Sequence, residues 1–279
     1  MLLAIDIGNT NIVIAIFKDS ELIHVWRIRT DVKRTGDEYA AVVHSFFRSR
    51  QIAFTDIDDA IVSSVVPALI GPFIGMVESS IGKKPFLVNQ QIFHLLPVTL
   101  SKSAEYEVGS DLVCNAVEAF CRFQKAAIVA DFGTALSFTA VGHTGRILGV
   151  AITPGLGTAV NSLFSETAQL PSVPLESPPS VLGTNTIYSI QSGVILGYKG
   201  LVEYIIAEMK KAIALQEGIE RDDIIVVATG GLNSVLHPIT SVFQYVDKEF
   251  TLFGLKRIAD ILRNGKAAPD SYYARGYRV

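Results

Sequence analysis

Apolar, β-branched residues come in short blocks broken by small polar turns, and two such blocks open the chain. Residues 2–5 and 12–17 flank the turn Asp6-Ile7-Gly8-Asn9-Thr10-Asn11, which predicts a β-hairpin. A third strand is expected over residues 21–29, after the turn Lys18-Asp19-Ser20. Thr35 or Asp37 then caps a helix over 39–50, with Val42, Val43, Phe46 and Phe47 on its apolar face. A strand over 60–66 ends at Pro67, a helix follows over 69–81, and a short strand over 84–88. Residues 89–107 show no clear period. Ser110 or Asp111 is placed to cap a helix reaching about Phe123.

The next stretch repeats the opening. Residues 126–141 read as strand, Asp131-Phe132-Gly133-Thr134-Ala135, then strand, followed by a polar turn and a third strand over 146–152. A repeat of this kind sets the architecture. It implies two similar β-β-β-α domains, each presenting an Asp-x-Gly hairpin, with boundaries expected at 1–115 and 116–279. Beyond it, the pattern predicts a helix over 155–170, a loop over 171–179 and a turn Gly183-Thr184-Asn185-Thr186. A helix follows over 187–211, whose Ser192, Gly193 and Gly197 suggest close packing on another helix. A strand over 224–228 runs into Thr229-Gly230-Gly231, and a closing helix over 250–262 precedes a polar, aromatic tail expected to be loosely held.

Composition narrows the function classes. The 279 residues are 49% hydrophobic and 18% charged with a net charge of −3, so a large core is affordable and disorder is not expected. No long Lys/Arg run exists, which argues against a nucleic-acid surface. The densest charge, over 27–33 and 56–59, reads as ordinary solvated surface. No apolar run is long enough to cross a membrane, and no signal peptide is evident. Cys114 and Cys121 read as small buried hydrophobes rather than a disulfide or metal pair, in keeping with a reducing cytoplasm.

The polar turns carry the candidate chemistry. Gly8 permits close backbone approach, and N–H groups together with Asn9, Thr10 and Asn11 can cradle phosphate oxygens. Asp6 would repel a phosphate directly, so it acts through a divalent cation or its water. The same residues also suit a plain hairpin turn. Asp111 is either a capping carboxylate or a general base held ionised by a helix N-terminus. Ser63 and Ser64 stand where open α/β sheets place ligands, or are ordinary strand-end polarity. Gly230-Gly231 suits a nucleoside contact.

The duplicated hairpins and the late Thr-Gly-Gly resemble the acetate and sugar kinase, Hsp70 and actin superfamily. The ordered set is more specific. Asp6-Ile7-Gly8-Asn9-Thr10-Asn11, Arg29-Thr30 with Thr35 and Asp37-Glu38-Tyr39, Ser63-Ser64-Val65-Val66-Pro67 and Gly109-Ser110-Asp111 are similar to type III pantothenate kinase motifs. So are Asp131-Phe132-Gly133-Thr134-Ala135, Pro154-Gly155, Gly183-Thr184-Asn185-Thr186, Ser192-Gly193, Thr229-Gly230-Gly231 and residues 251–255. The resemblance implies an α/β fold of two duplicated actin-like, ribonuclease H-like domains, with mixed sheets flanked by helices and a cleft between them. It implies transfer of a phosphoryl group from ATP to the 4′-hydroxyl of pantothenate, the first step towards coenzyme A, by a homodimer. By resemblance Asp6, Ile7, Gly8, Asn9, Thr10, Asn11, Ile12, Val13 and Thr134 bind ATP. Gly109, Ser110, Asp111, Leu112 and Thr186 line the pantothenate site, with Asp111 catalytic. Asp131 matches the position for a monovalent cation, K⁺ or NH₄⁺, and Mg²⁺ accompanies ATP near Asp6. With no P-loop lysine, cations and backbone dipoles must supply the positive charge. One departure bears on substrate: Leu112 stands where the family has an arginine expected to bind the pantothenate carboxylate. That leaves two alternatives to a pantothenate kinase, a non-catalytic nucleotide-binding paralogue with a regulatory role or a kinase for a related alcohol lacking the carboxylate.

Overall fold

The computed structural model describes residues 1–100, 107–165, 173–231 and 233–265. Strands β1 (Leu2–Ile7), β2 (Asn11–Lys18) and β3 (Glu21–Arg29) form an antiparallel meander. Helix α1 (Gly36–Ser49) leads to β4 (Asp59–Ser64), which returns parallel to β1. Helix α2 (Pro67–Ile81) leads to β5 (Phe86–Leu87), parallel to β4, giving the order β3-β2-β1-β4-β5. Alternation along the strands sends Ile5, Ile7, Ile12 and Ile14 to one face, where they are wholly buried with Tyr39, Leu69 and Phe73 of α1 and α2. Of the two caps offered for α1, Thr35 is used. Its hydroxyl accepts from the Glu38 N–H at 3.3 Å, while Glu38 accepts from the Thr35 N–H at 2.7 Å, a capping box worth about 1 kcal/mol. Pro67 both bars strand continuation and opens α2, where its missing N–H costs nothing. Short helix α3 (Gln90–Phe93) lies in the stretch without a clear period. The chain then enters α4 (Ser110–Phe123).

The second unit repeats this plan. Strands β6 (Ala127–Phe132), β7 (Ala135–Val141) and β8 (Ile147–Pro154) form the meander, followed by α5 (Leu156–Ser165), α6 (Thr186–Gln191) and α7 (Gly197–Glu217). Strand β9 (Ile225–Gly230), helix α8 (Asn233–Leu236) and strand β10 (Tyr245–Val246) complete the order β10-β9-β6-β7-β8, the same order as the first sheet. The register repeats too: Asp6 pairs with Val13 and Ser63, and Asp131 with Ser137 and Thr229. The hairpin loops differ by one residue, since Ile7 pairs with Ile12 but Phe132 with Leu136. Between α6 and α7 the helix widens into one π-helical turn, Ser192–Leu196. Here Ser192 donates to the Val181 carbonyl at 2.5 Å and Gln191 to that of Pro174 at 2.9 Å, tying the preceding loop to the helix. The close packing expected at Gly193 and Gly197 is not found among the described residues, because a Cβ added at either would meet nothing within 4 Å.

Helix α9 (Phe250–Asn264) changes the domain organisation. The compact units are Met1–Glu118 with the helix from Thr251 onwards, and Ala119–Phe250, in place of the contiguous division expected at 115/116. The physical reason is packing on the sheet face opposite α1 and α2. Phe253 meets Phe17 edge-on at 5.7 Å, and the α9 backbone at Gly254 lies against the Cys114 carbonyl of α4. Arg257 Nε donates to Glu118 at 3.1 Å, with the two side chains 6% and 0% exposed, and Arg263 donates to Asp59 at 2.8 Å. An apolar helical face predicts burial but does not name its partner. The tail expected to be loosely held falls beyond residue 265, outside the described residues. No helix among the described residues is long and apolar enough to cross a membrane.

Candidate active site

The first hairpin is built as a rigid loop. Gly8 N–H donates to the Asn11 carbonyl at 3.0 Å, and Thr30, just past β3, holds the loop from outside. Its hydroxyl donates to the Gly8 carbonyl at 2.6 Å and its N–H to the Thr10 carbonyl at 2.9 Å. Ile7 and Ile12 are wholly buried anchors, so their contribution to a ligand is through the backbone alone. Asn9, Thr10 and Asn11 are exposed at the tip, and Asp6 and Val13 are half-buried on the sheet face away from α1 and α2.

Beside it stands the N-terminus of α4. The helix begins at Ser110 itself, so Ser110 does not cap it. Its 7%-exposed hydroxyl instead bonds Ser63 Oγ at 2.9 Å and accepts from the Ser64 N–H at 3.0 Å, pinning α4 to the C-terminal end of β4. Ser63 is in register with Asp6, so the pin sets Asp111 close to the first hairpin's carboxylate. Asp111 Oδ1 accepts from the Leu112 N–H at 2.8 Å. Desolvation pushes the Asp111 carboxyl above its ordinary value, against the pull of the Leu112 and Asp111 N–H groups. A Cβ at Gly109 would lie 2.4 Å from Asp111 Oδ1, which explains glycine at that position. One turn on, burial raises the Cys114 thiol well above its usual range, and the negative charges of Asp6 and Asp111 raise it further. Leu112 is 8% exposed and offers no hydrogen-bond donor from its side chain.

The second hairpin has the same construction. Gly133 N–H donates to the Ala135 carbonyl at 3.1 Å, and Gly155 N–H to the Thr134 carbonyl at 2.9 Å, the counterpart of the Thr30 clamp. Thr158 adds a bond from its hydroxyl to the Thr134 carbonyl at 2.7 Å. Gly133, Thr134 and Ala135 are exposed. Asp131 is half-buried, and Gly230, at φ 87°, packs so tightly that a Cβ would fall 2.7 Å from Asp131 Oδ1. The buried hydroxyls of Thr229, opposite Asp131, and of Thr139 have no hydrogen-bond partner among the described residues. Thr186 is exposed in the first turn of α6, behind the Asn185 cap.

The structure thus gathers Asp6, the loop 8–11 and residues 109–112 in the first unit, and Asp131 and Thr134 in the second, with Thr186 on a separate element of that second unit. No group of three or more His, Cys, Asp or Glu able to cage a metal occurs among the described residues. Single carboxylates at strand ends suit a hydrated Mg²⁺ carried by phosphates, the usual mode for that ion. Thr158 was not singled out from sequence, and Thr30, Gly155, Ser63 and Ser110 were named there for other reasons, without the clamping and pinning bonds. Arg29-Thr30 and Pro154-Gly155, recurring after each third strand, were the available signal for the clamps.

Comparison with known proteins gives a consistent answer. The family model for type III pantothenate kinase matches residues 2–208. The chain is 41% identical over 256 residues to the type III pantothenate kinase of Syntrophotalea carbinolica, covering 92% of this chain and 97% of that one. It is 38% identical over 264 residues to that of Finegoldia magna, covering 95% and 98%. Among solved structures, a Baf family transcriptional activator from Campylobacter jejuni superposes with a TM-score of 0.57 at 16% identity, over 94% of this chain and 99% of that one, which shows a shared fold.

Proposed function

The chain belongs to the type III pantothenate kinase family, and from that premise we propose how its residues divide the work of phosphorylating pantothenate with ATP. The reaction gives 4′-phosphopantothenate and ADP, the entry to coenzyme A. Asp111 is the base. The 4′-hydroxyl oxygen attacks the γ-phosphorus, the bond from that phosphorus to the bridging oxygen of ADP breaks, and the hydroxyl proton passes to Asp111. The observation that carries this assignment is the Asp111 carboxylate itself, half-buried, pinned through Ser110 to β4 and raised in basicity by desolvation. Phosphoryl transfer asks mainly for positioning and charge neutralisation, so a modest, well-held base suffices.

Residues 6–13 hold the ATP phosphates, with the N–H groups and side chains of Asn9, Thr10 and Asn11 at the loop tip and Ile7 and Ile12 as buried anchors. Thr134 adds a contact from the second hairpin. Asp6 would hold the Mg²⁺ that accompanies ATP through its water shell, and the ion would supply charge neutralisation at the phosphates. A monovalent cation at Asp131 is supported by the close backbone of Gly230 and by the Thr229 hydroxyl in register with it, which has no partner among the described residues. Gly109, Ser110, Leu112 and Thr186 border the pantothenate, with Ser110 acting through its backbone because its hydroxyl is engaged. Leu112 cannot bind the carboxylate of pantothenate, so that charge is met by other groups. The working unit is a homodimer, a reading supported by exposed Ile152, Val181 and Leu182 at 68%, 68% and 78%, and it works in the cytoplasm. The intact hairpins and Asp111 do not favour a non-catalytic role. Incubation with ATP, Mg²⁺, K⁺ and pantothenate should release ADP in step with phosphopantothenate. Clear ATP binding without turnover of pantothenate would sink the assignment.

A further inference from the structure

The two hairpins are near copies, but the third strands beside them are not. β3 and β8 hold the same place in sheet order and register. Val25 lies opposite Ala15 and Val150 opposite Thr139, and they are 39% and 38% exposed. One step on, Arg27 lies opposite Val13, which itself faces Asp6; in the second sheet Ile152 lies opposite Ser137, which faces Asp131. At the strand ends, Arg29 stands opposite Asn11, and Pro154 opposite Ala135. The same three positions therefore read Val-Arg-Arg in the first unit and Val-Ile-Pro in the second.

Alternation puts Arg27 and Arg29 on the sheet face that carries Asp6. Trp26 and Ile28, on the other face, pack against the core, with Trp26 stacked on Phe46 at 5.4 Å. Both arginines are exposed, and neither forms an ion pair among the described residues. Adjacent strands lie about 4.8 Å apart, well within the reach of an arginine side chain. Arg29 is also the residue before Thr30, whose two bonds fix the loop 8–11, so its backbone is as firmly placed as the loop itself. The segment 6–13 contains no lysine or arginine of its own.

We propose that Arg29 is a phosphate-binding residue that holds the polyphosphate of the nucleotide against the loop 8–11, with Arg27 adding positive potential behind it. The proposal rests on the assignment of that loop to ATP. A guanidinium offers a planar pair of donors matched to phosphate oxygens, which exposed amide side chains lack. The positive charge missing for want of a P-loop lysine is supplied from the neighbouring strand. The counterpart Pro154 carries no charge, so the clamp is cationic on the first hairpin and neutral on the second.

The test is calorimetric titration of Arg29→Gln with Mg²⁺-ATP and separately with adenosine, together with steady-state KM values for ATP and pantothenate. A charge-assisted bond of this kind corresponds to a loss in ATP affinity of about 10-fold or more. Adenosine affinity, KM for pantothenate and the thermal midpoint should be unchanged, and Arg29→Lys should recover part of the loss. Wild-type ATP affinity in Arg29→Gln, or an equal loss for adenosine, would overturn the proposal. So would a rise in KM confined to pantothenate, which would assign the arginine to the substrate carboxylate. Nucleotide binding is read without the acceptor, so failure of the pantothenate assignment would appear separately, as wild-type ATP binding with no turnover.

Discussion

Ser110→Ala removes one oxygen atom and breaks two bonds, a buried one to Ser63 Oγ at 2.9 Å and a half-buried one from the Ser64 N–H at 3.0 Å. Both former partners stay in place; Ser63, 0% exposed, keeps its bond with the Cys114 thiol, while the half-buried Ser64 N–H loses its acceptor. A buried polar group left without its partner costs about 1–3 kcal/mol. For a chain of this size each kcal/mol moves the thermal midpoint by about 2–4 °C, so a fall on the order of 5 °C is expected. The effect on catalysis should be separable, because Asp111 is the next residue and loses its fixed distance from β4. A misplacement of about 1 Å can cost 100-fold, and a partial loosening should lower kcat about 10-fold with KM for ATP unchanged. Melting curves and steady-state kinetics on Ser110→Ala, Ser63→Ala and the double variant read both effects. Because the two hydroxyls share one bond, the double variant should lose less than the sum of the singles. Additive losses, or a Ser110→Ala enzyme with wild-type kcat and midpoint, would refute the idea that this pair sets Asp111.

Asp111→Asn should abolish turnover yet raise the thermal midpoint at neutral pH. Burial lifts the native Asp111 pKa above its unfolded value, so the stability tied to this group is full below about pH 3.9 and is lost as pH rises through the native pKa. Asparagine escapes that loss, and the gap between variant and wild type should close as melts are taken from pH 7 towards pH 4; wild-type turnover would remove Asp111 from the base role. Gly254→Ala would bring a Cβ to 2.2 Å from the Cys114 carbonyl, and should destabilise the protein by about 1–3 kcal/mol or more in denaturant titrations. Gly155→Ala would set a Cβ 2.2 Å from the Gly133 carbonyl and displace the second hairpin, so KM for ATP should rise; an unchanged KM would detach Thr134 from the nucleotide.

The strands of both meanders were legible because each is rich in apolar, mostly β-branched residues and closed by a turn, and the repeat at Asp131 disclosed the duplication from sequence alone. Local rules failed where a distant partner decided the outcome. Ser110 has the chemistry of a cap, yet its hydroxyl found β4 instead, and no pattern within the helix could reveal that. Arg27 and Arg29 in the charge-dense stretch at 27–33 are exposed, as expected of solvated surface, but the register that sets Arg29 opposite Asn11 could not be read from the sequence. Elements such as β10 and α3 are too short for periodicity to register. Glycines 193 and 197 illustrate the reverse error, where small residues suggested a neighbour that the described residues do not supply.

Helix α9 carries a consequence for biogenesis. Its bond from Arg263 to Asp59 spans 204 residues of chain, and Phe17 waits for Phe253 across a similar gap. A ribosome adding about 5–20 residues per second needs on the order of 10–40 s to make that intervening stretch. The face of the first sheet against α1 and α2 can be covered early, from neighbouring sequence. Its other face, bearing Phe17, keeps part of its apolar surface uncovered until α9 has been synthesised. The first unit is therefore completed only after Ala119–Phe250 has been made, and during that interval it exposes apolar surface of the kind that chaperones cover.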